Sequence, residues 1–209
     1  MDTKKQHWET VYTTKTANEV SWTQEVPHTS LDFVHEFNLP KTAKIIDIGG
    51  GDSRLVDYLL KEGYENLTVL DISEKSLEKA KERLGQAANK VKWIVSDILE
   101  FQPQEQYDLW HDRATFHFLT TVEQVEDYLD IAGSAAQQFL VVGTFAENGP
   151  EKCSGLEVHR YSEDDLTHAF RRQFSKRRCI SAQHQTPFKT IQHFTFCSFD
   201  RKMPQNTTN

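Results

Sequence analysis

The sequence predicts one α/β domain: an open, doubly wound sheet, mostly parallel, with helices on both faces and an antiparallel hairpin at its C-terminal end. Three observations carry that prediction. Lys44 to Ile48 is a short, β-branched, apolar run that enters Gly49, Gly50 and Gly51 and then a helical stripe, the pattern of a central strand covered on both faces. From there to Phe145, strand-like runs and helical stripes alternate, as they do in parallel sheets with crossover helices. Asp47, Asp71 and Asp97 fall at or beside the carboxyl ends of three successive predicted strands, where open α/β sheets collect their ligands.

Leu55, Val56, Leu59 and Leu60 follow the glycines with helical spacing, and Asp52 or Ser53 is available as N-cap. Such a turn lets backbone press against a ligand and aims a helix N-terminus at its polar atoms. A dinucleotide fingerprint needs a glycine where this chain has Arg54, and no G-x-x-x-x-G-K-[ST] phosphate loop occurs.

Residues 1–40 read as a helical and aromatic N-terminal part, helical over Gln6 to Val11, with His7, Trp8, Tyr12 and Trp22 set among polar residues. Two readings stand for these rings: they cap the edge of the core, or they cover a ligand by stacking on a flat base or approaching a cation. Leu31, Phe33, Val34 and Phe37 suggest a short amphipathic helix stopped by Asn38 and Pro40.

Asn66 to Leu70 forms the second strand, ending at Asp71. Asp71 lies about 20 positions beyond Gly51, the offset at which a carboxylate meets a ribose hydroxyl pair. Ser73 is placed to cap the next helix, which leaves Asp71 spare; Leu77, Ala80 and Leu84 give that helix its stripe and Gly85 its stop. Val91 to Val95 is the third strand. Ser96, Asp97 and Ile98 then offer an acid for an exocyclic amine and an apolar side chain for a flat ring, although Asp97 serves equally as an N-cap.

Tyr107 to Trp110 reads as the fourth strand, leading into His111-Asp112-Arg113-Ala114-Thr115-Phe116-His117-Phe118. Thr120 and Glu123 form a capping box for a helix carrying Val122, Val125, Leu129 and Ala132. Gln138 to Phe145 is the fifth strand, and Ala146 to Tyr161 is a loop long enough to suggest a function. Ser162 to Asp165 opens another helix that ends at Arg171 and Arg172. Residues 174–184 and 191–199 form a hairpin around Thr186-Pro187. The main domain is expected over 41–200, with a frayed polar tail over 201–209.

A net charge of -7 over 209 residues gives no broad basic surface for nucleic acid. Arg171, Arg172, Lys176, Arg177 and Arg178 read as a solvated helix end. The polar start, Met1 to Gln6, and the lack of a long apolar run speak against a membrane. Cys153, Cys179 and Cys197, odd in number and without CxxC pairs, suit reduced thiols in a cytoplasm. With His159, His184 and His193 they match no zinc spacing, so no metal is expected.

The D-x-G-x-G turn, the acid ending the second strand and the Asp97-Ile98 pair together resemble a class I S-adenosylmethionine (SAM) dependent methyltransferase, over about Lys41 to Phe199. The resemblance implies a Rossmann-like, seven-stranded sheet whose last strand is inserted antiparallel, and SAM as cofactor. It implies Gly49 and Gly51 at the amino-acid part of SAM, Asp71 at the ribose, and Asp97 with Ile98 at the adenine, with Asp47, Gly50, Ile72 and Ser96 also in the cofactor site. Trp8, Tyr12, Trp22 and Arg113 complete the expected cofactor shell. Ser53 stands where many members have a third glycine.

The stretches His7-Trp8-x-x-Val11-Tyr12, Val20-Ser21-Trp22-x-Gln24, Trp110 to Ala114, His117 to Leu119 and Gly149 to Leu156 are similar to a smaller bacterial branch. Part of the N-terminal pattern is similar to protein-lysine methyltransferases.

Methyl transfer from a sulfonium is an in-line displacement, for which a base is optional. Candidates for one are His117 and Asp112, with His111 behind them. Structural roles stand beside these: His117 as a hydrogen-bonded core residue, Asp112 as a partner of Arg113 or a helix cap. The acceptor is expected to be a small molecule or a protein side chain. A SAM-binding module without catalysis and, less favoured because of Arg54, a nicotinamide-dependent oxidoreductase are the alternatives.

Overall fold

A computed structural model of the chain describes residues 3–203. Two helices lead, α1 (Thr3–Thr14) and α2 (His28–Glu36), and the alternating part follows as β1 (Lys44–Ile48), α3 (Leu55–Lys61), β2 (Asn66–Asp71), α4 (Glu74–Leu84), β3 (Val91–Val95) and β4 (Tyr107–Arg113). Then come α5 (Val122–Ala135), β5 (Ala136–Phe145), the two-residue strands β6 (Lys152–Cys153) and β7 (Leu156–Glu157), α6 (Glu163–Phe170), β8 (Phe174–Gln185) and β9 (Ile191–Arg201).

The main sheet has the order β3-β2-β1-β4-β5-β9-β8. Its first five strands are parallel, and β9 lies antiparallel between β5 and β8. This is the doubly wound, seven-stranded arrangement that the sequence predicts.

Strand alternation divides the core into two layers. Ile45, Leu109 and Val141 pack with Phe33 and Val34 of α2 and Leu55 and Leu59 of α3. Ile46, Ile48, Trp110 and Leu140 pack on the other face with Tyr128 of α5 and Phe170 of α6. Burying one such aliphatic or aromatic side chain stabilises the fold by about 1.5–3 kcal/mol, so β1, with Ile45, Ile46 and Ile48 all at most 1 % exposed, is the strand both layers depend on.

Several local expectations are corrected. β4 continues three residues beyond Trp110, so His111, Asp112 and Arg113 are strand residues; pairing with β1 and β5 on both sides extends it. The box capping α5 is Thr121 with Gln124, one position on from the predicted pair. At α3, Ser53 Oγ accepts from Leu55 N–H at 3.2 Å, whereas the Asp52 carboxylate turns to Arg83.

The long loop after β5 contains the small β6–β7 hairpin. Arg201, assigned to a tail, closes β9; residues 204–209 of that predicted tail lie outside the described residues. Lys176, Arg177 and Arg178 sit on β8 instead of a helix end, paired with Glu163, Asp200 and Glu36.

The expectation of three reduced thiols is also overturned. Cys179 and Cys197 stand opposite each other on β8 and β9 and form a disulfide, while Cys153 is free and buried. The register between two strands sets that pairing, and spacing along the chain does not reveal it. Among the described residues, no helix is long and apolar enough to cross a membrane.

Candidate cofactor and acceptor site

The carboxyl ends of β1, β2, β3 and β4 open into one cavity of about 480 Å³. Its floor is the turn after β1. Gly50 N–H donates to Leu70 O at 3.2 Å, tying the turn to β2. Gly51 has φ +39, and a Cβ there would stand 2.7 Å from Asp71 Oδ2 and 3.2 Å from the Tyr12 hydroxyl. Glycine is what allows backbone, carboxylate and phenol to meet at this point. Thr115 Oγ1 donates to Ile48 O at 3.2 Å and occupies the space a side chain at Gly49 would need.

Asp71 is 6 % exposed, and Oδ1 accepts from Ser73 N–H at 2.8 Å. The sequence left Asp71 wholly spare because Ser73 caps α4; Ser73 does cap it, but its own N–H takes one carboxylate oxygen. Burial pushes the Asp71 carboxyl up to about 7, with hydrogen bonds from Ser73 and Ser76 pulling it down and Asp47 and Glu9 adding to the rise.

Asp97 takes the capping role left open for it and also faces the cavity. It caps the 3-10 turn Ile98–Glu100 through Leu99 N–H at 2.9 Å, and it lines the cavity with Ile98 and Ser96. Asp47 is 5 % exposed; its Oδ1 is 2.7 Å from His111 Nδ1, and its Oδ2 is buried without a partner.

α1 and the segment after it roof the cavity. Trp8 lies 5.6 Å from Trp22 and 5.2 Å from Phe118 between ring centres, and Tyr12 lies 6.0 Å from Trp22. All four rings line the hollow. Glu9 fixes the roof from outside by accepting from the Glu74 and Lys75 backbone N–H groups at 2.6 and 3.3 Å, where the α4 dipole favours a carboxylate. Sequence reasoning missed Glu9, because a cap supplied from 65 residues away leaves no local signal.

The three candidate bases separate. Successive strand residues point to opposite faces, so His111 lines the cavity and Asp112 does not. His111 is 2 % exposed with both ring nitrogens engaged, Nδ1 by Asp47 and Nε2 by Ser30 Oγ at 2.9 Å.

Asp112 is fully buried. Its Oδ2 accepts from the Tyr128 hydroxyl at 2.7 Å, and its Oδ1 accepts from Thr115 and Phe116 N–H at 2.9 and 3.2 Å. Burial raises it to about 6. It therefore holds the turn after β4, and Tyr128 relays that grip to Trp110, whose Nε1–H donates to the Tyr128 hydroxyl at 2.9 Å.

His117 lies on the 3-10 turn Phe116–Phe118, outside the cavity lining, with Nδ1 accepting from Phe145 N–H at 3.2 Å. Burial, with the Arg113 charge adding, drives it down to about 3. Asp112 and His117 thus lie outside the cavity lining, Asp112 bonded to Tyr128 and the turn instead of Arg113, and His117 bonded to Phe145. The lining also includes Cys153, whose thiol burial pushes up to about 11.

Arg113, at the tip of β4, also lines the cavity. Its Nη1 donates to Trp22 O at 3.0 Å, and its guanidinium carbon lies 5.2 Å from the centre of the Phe194 ring on β9. Its Nη2 is buried without a partner. Among the described residues, no cluster of His, Cys, Asp and Glu is arranged to hold a metal ion.

Comparison with known proteins accords with this geometry. Residues 45–134 match the profile of a methyltransferase domain family. Over 82 residues the chain is 42 % identical to a malonyl-[acyl-carrier protein] O-methyltransferase of Anoxybacillus flavithermus, a stretch covering 38 % of this chain and 30 % of that protein. The match thus spans about a third of the relative's length.

Among solved structures, one described for the conversion of a disulfide bond into a thioacetal group in echinomycin biosynthesis superposes with TM-score 0.79 at 15 % identity, over 96 % of this chain and 94 % of that one. The 1,6-didemethyltoxoflavin-N1-methyltransferase of Burkholderia thailandensis, with S-adenosylhomocysteine bound, gives 0.70 at 16 % identity over 96 % and 88 %. Sheet order and glycine turn agree with that profile, and residues 45–134 of the chain are similar to a methyltransferase domain.

Proposed function

We propose that the cavity binds SAM and that the chain transfers a methyl group from it to a small molecule or a protein side chain in the cytoplasm. The observation that carries this reading is a single hollow lined by Gly49, Gly50, Asp71 and Asp97, beside an Asp47 oxygen that among the described residues is buried without a partner. Carboxylates at strand ends beside a glycine turn are what a ligand with hydroxyl and ammonium donors requires.

The cofactor supplies a methyl group on a sulfonium. Asp71 receives the ribose hydroxyls, Asp97 with Ser96 the adenine amine, and Ile72 and Ile98 the faces of the sugar and base. Gly49, Gly50 and Gly51 would admit the amino-acid part, and Asp47 Oδ2 would hold its ammonium. Trp8, Tyr12 and Trp22 exclude water. Positioning of this kind contributes about 7–11 kcal/mol when reacting atoms are aligned, so the engagement of both His111 nitrogens is no obstacle. The acceptor named for the Anoxybacillus protein, a malonyl group on an acyl carrier protein, falls within the proposed class.

A thermal shift with SAM, S-adenosylhomocysteine and NAD tests the binding. Ligand at about 100 times Kd adds about 2.7 kcal/mol to stability, and stabilisation by NAD alone would overturn the reading. Labelled SAM with cell extract tests transfer; no labelled product would leave a binding module without catalysis.

A further inference from the structure

The cavity is longer than its carboxylates. Asp71 and Asp97 stand at β2 and just after β3, on one side of β1. Arg113 stands on the other side, at the tip of β4, opposite Gly143 of β5 and with its guanidinium against Phe194 of β9. Asp71 and Asp97 thus stand toward one end of the hollow and a buried guanidinium toward the other.

Among the described residues that guanidinium makes no ion pair. Its Nη1 is spent on Trp22 O, its flat face on Phe194, and Nη2 is buried with nothing to receive its hydrogens. Burial lowers it to about 10, with the charges of Asp47 and Cys153 opposing the fall, so it stays cationic at neutral pH. Leaving a charge buried and unpaired is costly, and the cost is recovered when an anion arrives. The same hollow is lined by Trp22, Phe118, Ala114 and Cys153, apolar and aromatic side chains.

We propose that Arg113 receives a carboxylate of the methyl acceptor, and that the acceptor is an organic acid with an aromatic or otherwise apolar body. This rests on the SAM reading of the same cavity. A carboxylate is acceptor-only and singly charged, which suits a fork with one open nitrogen. The rings of Trp22 and Phe118 take the body. The amide of the same acid keeps the shape but loses the charge and one acceptor, so a site of this kind rejects it strongly, because the guanidinium is again left unpaired.

The test is calorimetry on the whole protein saturated with S-adenosylhomocysteine, using phenylacetate and indole-3-acetate against phenylacetamide and indole-3-acetamide. The expected result is that at least one acid binds at least about tenfold tighter than its amide. That preference falls to near parity in Arg113→Gln and is partly kept in Arg113→Lys.

Equal binding of acid and amide by the natural chain, or no binding of either acid, overturns the proposal without any variant having to fold. Weaker S-adenosylhomocysteine binding in Arg113→Gln, with 5′-methylthioadenosine binding unchanged, also overturns it, because the guanidinium then serves the cofactor's own carboxylate. Failure of the natural chain to bind S-adenosylhomocysteine is a separate readout: it removes the SAM reading, and this proposal with it.

Discussion

His111 joins three elements through two bonds: Nδ1 lies 2.7 Å from Asp47 Oδ1 on β1, and Nε2 lies 2.9 Å from Ser30 Oγ on α2, with His111 itself on β4. The imidazole is a cross-brace that orients the Asp47 carboxylate. Ser30→Ala leaves a buried ring nitrogen without its partner, a loss of about 1–3 kcal/mol. Urea unfolding should show that drop; a change within error would mean that the bond to Ser30 contributes nothing.

Asp71→Asn should weaken S-adenosylhomocysteine binding by about 1.5–3 kcal/mol, the worth of hydrogen bonds to a charged group. Because burial holds the Asp71 carboxyl at about 7, affinity of the natural chain should rise from pH 6 to pH 8 as the acid ionises, and Asp71→Asn should lose that rise. The folded value lies above the unfolded one, so the stability this group contributes is full below about pH 4 and is lost as pH rises through 7. The ligand-free Asp71→Asn protein should therefore gain on the natural chain at pH 8 and not at pH 4. Calorimetry and melting curves at these pH values check both.

Tyr128→Phe removes one hydroxyl that is both donor to Asp112 at 2.7 Å and acceptor from Trp110 at 2.9 Å. Two buried polar groups lose a partner, which costs about 1–3 kcal/mol each. The expected result is a lower Tm with the folded spectrum unchanged. An unaltered Tm would show that the chain of bonds is dispensable.

His117→Asn should destabilise the protein above pH 7, where the natural imidazole is neutral and accepts from Phe145 N–H. The His117 value is depressed to about 3. Its contribution is therefore complete above the unfolded value near 6.5 and is lost as pH falls toward 3. The gap between variant and natural chain should shrink over that window in denaturation at fixed temperature. If His117→Asn removes an ionisation from the pH profile of turnover instead, His117 reaches the reaction.

The sequence makes the architecture legible because its signals are local. β1 announces itself by Ile45, Ile46 and Ile48, the turn by three glycines, and the carboxylates by their place at strand ends. The roles of Asp112 and His117 are less legible, since both depend on partners 16 and 28 residues away. An acid or imidazole next to a strand end looks the same in sequence whether it faces a cavity or the layer behind it, and one residue of strand register decides. Extending β4 through Arg113 turned His111 inward and Asp112 away.

The insertion of β9 between β5 and β8 has a consequence for biosynthesis. While the ribosome is still making residues 191–201, β5 has β4 on one side and an open row of backbone donors and acceptors on the other. An unprotected edge of that kind recruits other nascent strands. A stall or a stop codon ahead of Ile191 would thus release a chain with its glycine turn formed and its sheet left adhesive, a natural client for chaperones.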